Sequence, residues 1–343
     1  MKRVVWIISE GSPGHVSQSE GLVAALAQQV KLEPHIIQTS PRFGGIIRTI
    51  VRLWMGRSGQ PLSDGFLKSW LGCKPPSGMM PNLIVTSGGK AVFTARSLAV
   101  KHGAPLVFLG ERKPYPARWF HTVFTPSPFE NEVTDVVLEM IPTGITPAKA
   151  NAAASAWAER PNGCVWAMII GGSSASHEYT DADWKLLALK MNALAEAHGI
   201  KWLVSTSRRT GAHAEGILRQ HIDPKTIARA VWWEEKPEKL MAEFLGSATW
   251  VCVTQDSVTM VTEAVASGRP VLVTMPAKTE IKPTSFLHGY YSRLEKASRI
   301  VRVPIGVLGN FHPGNTRLLP RSRPINTELA AALLSRLHWP VNH

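Results

Sequence analysis

The 343-residue chain has no run of about 18 continuous apolar residues, the minimum for a membrane-spanning helix. Its start turns polar too soon for a signal peptide, so we expect a cytoplasmic protein, with peripheral binding to the inner membrane face as an alternative. Only three cysteines occur, Cys73, Cys164 and Cys252, and their wide spacing fits neither a disulfide framework nor a zinc site. Cys164 and Cys252 adjoin apolar segments, and we expect both to be buried, unreactive thiols.

Acidic residues are scarce relative to basic ones. The chain has 25 Asp and Glu against 38 Lys and Arg, a formal net charge of +13. This balance favours an anionic partner such as a nucleotide, a nucleic acid or an anionic membrane. Because zinc-finger spacing, an aromatic RNA-binding motif and a basic arm are all missing, we expect no nucleic acid. The glycine spacing of dinucleotide-binding folds is missing too, so NAD is not indicated.

Short apolar runs alternate with helical patterns along the whole chain. This alternation predicts an α/β fold of two Rossmann-like, doubly wound parallel-sheet domains. A Pro/Gly turn and an alanine-rich piece over 142–163 mark the boundary between two halves. We predict an N-terminal domain over 1–145, a C-terminal domain over 160–325, and a last helix over 326–343 that crosses back to the first domain. The last strand of the first domain is predicted at Leu138–Ile141.

The segment from Trp250 to Thr274 reads as strand, polar loop, helix, glycine stop and strand. Polar residues Gln255, Asp256 and Ser257 therefore gather where a strand ends and a helix begins. In open α/β sheets ligands bind at this position, and the helix dipole favours an anion there. Glu263 lies on the following helix. A plain strand–helix–strand unit with a surface glutamate remains the alternative.

Two more polar loops follow strands in the second half. The glycines and hydroxyls of the first loop suit a diphosphate, and the arginine forks of the second suit phosphate oxygens. For the arginines, solvent exposure without a ligand remains the alternative. A further loop carries Trp232-Trp233, and one of these tryptophans could stack on a base, although packing in the core is the alternative. The predicted phosphate contacts are Gly171, Gly172, Ser173, Ser174, Ser207, Arg208 and Arg209.

The first half has two comparable loops, and these predict the acceptor side of a site. Glu10 and His15 follow the first strand, and an imidazole titrates near neutral pH, so His15 could take a proton from a hydroxyl. We place His15 in a loop, with Ser17 or Ser19 capping the next helix; a histidine that only hydrogen-bonds the turn is the alternative. The other predicted contacts are Gly14, Gln18, Ser87, Gly88, Gly89 and Lys90.

A basic amphipathic segment lies between these two loops. Arg48 and Arg52 are one helical turn apart, beside a stripe that contains Ile50 and Trp54. Such a helix can lie on an anionic membrane or contact a lipid acceptor. An ordinary half-buried helix is the alternative.

These loops resemble those of the mitochondrial-fission "elongated mitochondria" domain family. The resemblance covers nearly the whole chain and implies a GT-B-like fold, in which two Rossmann-like domains face a cleft. In GT-B proteins the glutamate of such a helix takes the ribose hydroxyls, and the preceding loops face the phosphates. The matching motifs are Gly11-Ser-Pro-Gly14 with Gln18, Ser87-Gly-Gly-Lys90, Ile170-Gly-Gly-Ser173, Ser205-Thr-Ser-Arg-Arg-Thr210, Asp256-Ser257, Glu263-Ala264 and Gly268-Arg-Pro270.

The resemblance implies an inverting, metal-independent glycosyltransferase without a cofactor. Its substrates would be a nucleotide-sugar and a lipid-linked or lipopolysaccharide-type acceptor at the cytoplasmic membrane face. His15 would be the base, with Glu10 as the alternative, and Glu263 would hold the ribose. GT-B enzymes stabilise the leaving diphosphate with helix dipoles and basic side chains, hence no metal is expected. A nucleotide-sugar epimerase of the same fold and a non-catalytic membrane-associated adaptor are the alternatives.

Overall fold

The computed structural model describes residues 2–42, 44–126, 134–283 and 285–340. The chain divides into two compact units, the first formed by Met1–Gly144 with Ile325–His343 and the second by Ile145–Pro324. In the described ranges no helix is long and apolar enough to cross a membrane.

The first unit is built on a six-stranded sheet in the order β2-β1-β3-β4-β5-β6. Its strands are β1 (Arg3–Ser9), β2 (Leu32–Gln38), β3 (Leu83–Ser87), β4 (Leu106–Leu109), β5 (Thr122–Thr125) and β6 (Asp135–Val137). Its helices are α1 (Pro13–Ala27), α2 (Gly45–Ser58), α3 (Asp64–Ser69), α4 (Val92–His102) and, from the end of the chain, α12 (Ile325–Leu337). All strand pairs are parallel.

Strand order in this sheet reverses between β1 and β3. From β1 the chain moves outward to β2 and then returns to the other side of β1, where Ile7 pairs with Val85. Parallel strands that are covered on both faces read as continuous apolar runs, and β1 and β3 are accordingly buried at their centres. Ligands bind outside the carboxyl ends of strands at such a reversal. The loops after Ser9 and Ser87 occupy this position.

The second unit has a six-stranded parallel sheet in the order β10-β9-β7-β11-β12-β14 and a small β8–β13 ribbon. Its strands are β7 (Val165–Ile169), β8 (His177–Glu178), β9 (Lys201–Ser205), β10 (Ile227–Val231), β11 (Trp250–Thr254), β12 (Val271–Met275), β13 (Lys278–Thr279) and β14 (Ile300–Pro304). Its helices are α5 (Pro147–Ala156), α6 (Asp181–His198), α7 (Gly211–His221), α8 (Met241–Ser247), α9 (Val258–Ala266), α10 (Phe286–Lys296) and α11 (Ile305–Leu308).

Numbered in chain order among the six strands of this sheet, leaving out the ribbon strands, the order is 3-2-1-4-5-6, the order of dinucleotide-binding sheets. The reversal lies between β7 and β11, where Val253 pairs with Ile169. The loops that begin at Ile170 and Gln255 therefore emerge side by side. A tryptophan-rich core with Trp166 and Trp202 supports the sheet from one face. The predicted α/β fold of two Rossmann-like parallel sheets is confirmed.

Three local predictions differ from the structure. The alanine-rich piece placed between the halves is α5, whose residues pack on α8 within the second unit. The last strand of the first sheet is Asp135–Val137, so the strand predicted at Leu138–Ile141 is wrong. Cys164 is exposed, so the prediction that it is a buried thiol is wrong, whereas Cys73 and Cys252 are buried. Residues 341–343 of the predicted last segment lie outside the described residues.

Candidate functional site

A histidine–carboxylate pair lies at the reversal point of the first sheet. The Nδ1 atom of His15 is 2.9 Å from Oε1 of Glu10. His15 lies in the first turn of α1 rather than in a loop, because the helix begins at Pro13. The Glu10 side chain is only 10% exposed, whereas that of His15 is 39% exposed. The carboxylate therefore fixes one ring nitrogen and leaves Nε2 to face solvent or a substrate.

The loop after β3 closes around this pair. Gly88 has φ of +80°, and a Cβ built there would overlap the His15 ring and lie 3.0 Å from Oε1 of Glu10. Ser87 Oγ donates to the His15 backbone carbonyl at 2.5 Å and lies 3.1 Å from Ser19 Oγ. Position 88 thus requires glycine both for its backbone conformation and for space.

The helix predicted to be capped by Ser17 or Ser19 has Ser12 at its cap position, so that prediction is wrong. Ser17 Oγ instead accepts a hydrogen bond from the Gly144 amide at 2.9 Å. Gly14 and Gln18 are half-buried on the first turns of α1, and Lys90 is exposed just before α4. The side chains of Gln18 and Lys90 make no hydrogen bond to another described residue.

In the second unit, the glycine loop after β7 lies in close contact with its neighbours. A Cβ at Gly171 would overlap the Asp256 carboxylate, and one at Gly172 would overlap the backbone of Arg209. The loop is held by Thr254 Oγ1, which accepts from the Gly171 amide at 2.7 Å, and by Thr210 Oγ1, which donates to the Gly171 carbonyl at 2.5 Å. Three loops at the ends of neighbouring strands are thereby joined.

Asp256 is the centre of these contacts. Its buried carboxylate accepts from the Arg209 guanidinium at 2.6 Å, from the Gly172 amide at 3.0 Å and from the Tyr179 hydroxyl at 3.4 Å. Burial, followed by the charge of Asp256, raises the pKa of Tyr179, so its hydroxyl stays a donor. Asp256 therefore holds the loops together, and it orients Arg209 at the rim.

Helix α9 begins at this rim. Ser257 is its N-cap, and its Oγ accepts from the Met260 amide at 3.4 Å. Glu263 lies further along α9 and is half-buried, and none of the described residues pairs or hydrogen-bonds with its carboxylate. Burial raises the pKa of Glu263 from 4.5 to about 7. A carboxylate in this state gains more from a pair of hydroxyl donors than a solvated one does.

The hydroxyls predicted to contact phosphates are partly engaged within their own loops. Ser173 Oγ accepts from the Tyr179 amide, Ser174 Oγ lies 3.3 Å from Nδ1 of His177, and Ser207 Oγ lies 3.3 Å from Thr210 Oγ1. Arg208 is exposed, and its guanidinium forms no hydrogen bond or ion pair with another described residue. Among the described residues, Arg208 of this loop therefore has no acidic partner, whereas Arg209 is paired with Asp256.

Sequence reasoning missed His177, which is buried beside the glycine loop. Its Nε2 lies 3.3 Å from Gln255 Oε1, and its Nδ1 lies 3.0 Å from Ser176 Oγ. Burial lowers the pKa of His177, which favours a neutral ring. Gln255 Nε2 remains buried without a hydrogen-bond partner among the described residues. The serine-rich run before His177 was the one signal for this cluster.

The two tryptophans that follow β10, Trp232 and Trp233, differ in how far they are exposed. Trp232 packs partly on the core, with the Arg219 guanidinium 5.1 Å from its ring centroid. Trp233 is 39% exposed, and its backbone amide donates to Thr206 Oγ1 at 2.8 Å. Trp233 is therefore the tryptophan of this pair that a base could stack on.

Helix α2 exposes most of the stripe predicted from the sequence. Val51 and Met55 are buried, while Ile47, Ile50 and Trp54 are exposed. Arg52 is half-buried on the same helix. Arg48 Nη2 donates to the Gly89 carbonyl at 3.3 Å, which also accepts from the Tyr115 hydroxyl at 2.6 Å. Arg48 thus connects α2 to the loop that carries Gly88.

The described residues contain no group of three or more His, Cys, Asp or Glu side chains that could hold a metal ion.

Solved structures with a similar fold include the UDP-GlcNAc 2-epimerase of Methanocaldococcus jannaschii, with a TM-score of 0.57 at 11% identity over 98% of this chain and 100% of that one. The UDP-GlcNAc 2-epimerase of Neisseria meningitidis bound to UDP-GlcNAc gives 0.57 at 11% identity over 99% and 100%. Arabidopsis thaliana UGT89C1 complexed with UDP gives 0.51 at 13% identity over 97% and 94%. These likenesses confirm the predicted GT-B fold.

Similarity at the level of sequence is more specific than similarity of fold. Protein RP120 of Rickettsia prowazekii is 24% identical over 146 residues, which cover 42% of this chain and 41% of that protein. The chain thus matches less than half the length of this curated relative. A family model for mitochondrial fission ELM1 matches residues 13–303, most of both units. The motifs that carried the resemblance lie within that range or at its edge, and the chain belongs to the mitochondrial fission ELM1 family.

Proposed function

We propose that the protein is an inverting, metal-independent glycosyltransferase that moves a sugar from a nucleotide-sugar to a lipid-linked acceptor at the cytoplasmic membrane face. The observation that carries the proposal is the second unit's reversal point. There a glycine loop without room for a Cβ, the start of α9 and the exposed Arg208 adjoin one another, and Glu263 on α9 lacks a partner among the described residues.

Each part of this arrangement suits one part of a nucleoside diphosphate. Backbone amides at a helix start, together with an arginine, stabilise a diphosphate without a bound cation. The Glu263 carboxylate accepts hydrogen bonds from two ribose hydroxyls, which compensate for its burial. Trp233 offers an exposed ring for the base.

The reaction needs a base for the acceptor hydroxyl, and His15 supplies it. The acceptor oxygen forms a bond to the anomeric carbon, and the bond from that carbon to the diphosphate oxygen breaks with its electron pair leaving on the diphosphate. His15 Nε2 takes the hydroxyl proton. Glu10, hydrogen-bonded to Nδ1 at 2.9 Å, orients the ring and stabilises the imidazolium that forms.

The epimerase alternative uses the same donor pocket, and the fold likeness to UDP-GlcNAc 2-epimerases keeps it as the second candidate. Acceptor dependence separates the two. A transferase releases free nucleotide only when an acceptor is present, whereas an epimerase changes the sugar configuration with no acceptor.

The first test is a thermal-shift panel of UDP, CMP, GDP and ADP, each with and without its sugar. UDP comes first, because two of the similar structures hold UDP or UDP-GlcNAc. Ligand at about 100 times its dissociation constant should stabilise the fold by about 2.7 kcal/mol. Glu263→Ala should lose this shift, and Glu196→Ala, an exposed glutamate on α6, should keep it. If no nucleotide stabilises the wild type at millimolar concentration, the adaptor alternative takes over.

A further inference from the structure

Helix α2 carries more exposed apolar surface than a helix packed on a sheet normally has. Ile46 is 81% exposed and Ile50 is 60% exposed, and Leu53 and Trp54 are each about half exposed. Contiguous apolar patches of this kind mark interaction sites in water-facing proteins. Val51 and Met55 anchor the helix to the core, so the exposed face is held in place.

An apolar groove continues this face toward α3. Ile50, Trp54, Leu62 and Phe66 line a depression of about 640 Å³, and a second depression of about 520 Å³ lies between Leu53, Trp54 and Arg57. The apolar surface therefore extends beyond one helix. It forms a shallow, continuous patch, which we call the α2 face: the exposed side of α2 together with the Leu62–Phe66 wall.

The charged side chains of α2 itself are all basic, and the net charge around the α2 face is positive. Helix α2 contains Arg48, Arg52 and Arg57 and no acidic residue. Asp64, at the edge of the groove, is neutralised by Lys101 Nζ at 2.6 Å. The whole chain carries a formal charge of +13, which adds long-range attraction to a negative surface.

We propose that the α2 face docks on an anionic lipid bilayer, with α2 in the interfacial plane. Its isoleucines, Leu53 and Trp54 enter the boundary between headgroups and acyl chains, and Arg52 and Arg57 contact lipid phosphates. An amphipathic helix with a basic polar side and a tryptophan among its apolar residues suits this interface. A protein partner would need a complementary acidic groove, whereas an anionic bilayer supplies both the apolar layer and the phosphates. This inference does not depend on sugar transfer.

The test is co-sedimentation of the full chain with vesicles, without any nucleotide. Vesicles of phosphatidylcholine with phosphatidylglycerol should pellet the protein, pure phosphatidylcholine should pellet at least ten-fold less, and 0.5 M salt should weaken the anionic binding. The double variant Ile46→Ser/Ile50→Ser should reduce pelleting at least ten-fold. Its control, Leu189→Ser/Leu319→Ser in the second unit, removes two exposed aliphatic side chains elsewhere and should bind as the wild type does.

Charge is tested in the same way. Arg57→Glu should weaken vesicle binding, and Arg317→Glu, an exposed arginine of the second unit, should leave it unchanged. Thermal midpoints of all variants confirm folding, since the substituted side chains are exposed. Failure of anionic vesicles to pellet the protein, or equal pelleting of the Ile46→Ser/Ile50→Ser variant, overturns the proposal. A concentration-dependent dimer that this variant abolishes also overturns it, because a second copy then covers the α2 face.

Discussion

Arg209 and Asp256 form an ion pair of unequal exposure: the Asp256 side chain is fully buried, the Arg209 side chain is 39% exposed, and Nη2 of Arg209 lies 2.6 Å from Oδ2 of Asp256. The two loops that they join follow β9 and β11, on either side of the glycine loop. Removal of one partner therefore has a different effect from removal of the other.

We expect Arg209→Ala to destabilise the protein more than Asp256→Asn does. Loss of the arginine leaves a buried carboxylate without its counter-charge, at a cost of about 3 kcal/mol or more. The asparagine in Asp256→Asn can still hydrogen-bond to the Gly172 amide and the Tyr179 hydroxyl. The Arg209 guanidinium loses its counter-charge, but it is exposed enough for water to solvate it. Denaturation midpoints of both variants measure the difference. Arg208→Ala, the exposed neighbour, is the control and should change stability little.

We expect the free energy of unfolding to fall as the pH rises above the usual pKa of a glutamate carboxyl group. The folded pKa of Glu263 is about 7 against 4.5 for the free side chain, so folding favours the protonated form. The resulting penalty is absent below about pH 4, grows between pH 4.5 and 7, and then stays constant at a value on the order of 3 kcal/mol.

Glu263→Gln removes this titration. The stability of the variant should therefore rise relative to that of the wild type as the pH increases from 4.5 to 7. Thermal midpoints of both proteins, recorded from pH 4.5 to 8 without ligand, measure the gain. Glu196→Gln, with an exposed carboxylate on α6, should follow the wild-type curve. Parallel curves for wild type and Glu263→Gln would contradict the prediction.

Gly88→Ala should reduce stability and donor turnover together. The alanine Cβ would meet the His15 ring, and the backbone at φ of +80° is strained for any residue with a Cβ. Gly78→Ala is the matched control, because Gly78 has φ of +73° and open space around its built Cβ. Gly78→Ala should lose about 1 kcal/mol of stability, because only backbone strain opposes it. The excess loss at Gly88, measured by urea denaturation, reports the clash with His15.

Glu10→Gln should lower kcat and leave KM for the donor nearly unchanged. An amide still accepts a hydrogen bond from His15 Nδ1, but it cannot stabilise the imidazolium that forms in the transition state. We expect about a 100-fold loss in kcat for Glu10→Gln and about 100- to 10,000-fold for His15→Gln. Acceptor-dependent release of nucleotide measures both. A rise in KM alone would assign the pair to substrate binding.

One thiol should react in the native protein. Cys164 is exposed beside Thr249, while burial raises the pKa of Cys73 to about 11 and also raises that of Cys252. A thiol reagent at pH 8 should therefore modify about one cysteine per folded chain, and Cys164→Ser should abolish the reaction. Unfolding in guanidinium should release the other two.

The sequence predicts the sheets and their loops well because buried parallel strands and glycine stops leave strong local signals. The sequence pattern predicts strands at 165–170 and 250–253 and a helix at about 181–198, and β7, β11 and α6 lie at or within a residue of these bounds. The charge environments could not be predicted, since they depend on neighbours far apart along the chain. The ion pair between Arg209 and Asp256 and the burial of His177 depend on strand order, as does the lack of a partner for the Glu263 carboxylate among the described residues. Residue patterns alone do not fix it.

Helix α12 packs on α1, the helix whose first turn carries His15, and Asn326 Nδ2 donates to the Thr143 carbonyl at 2.6 Å. The second unit is thus an insertion within the first, which is completed only by residues 325 onward. During synthesis the second unit can finish folding while the first still lacks α12. The His15 region would then mature last, once α12 has left the ribosome.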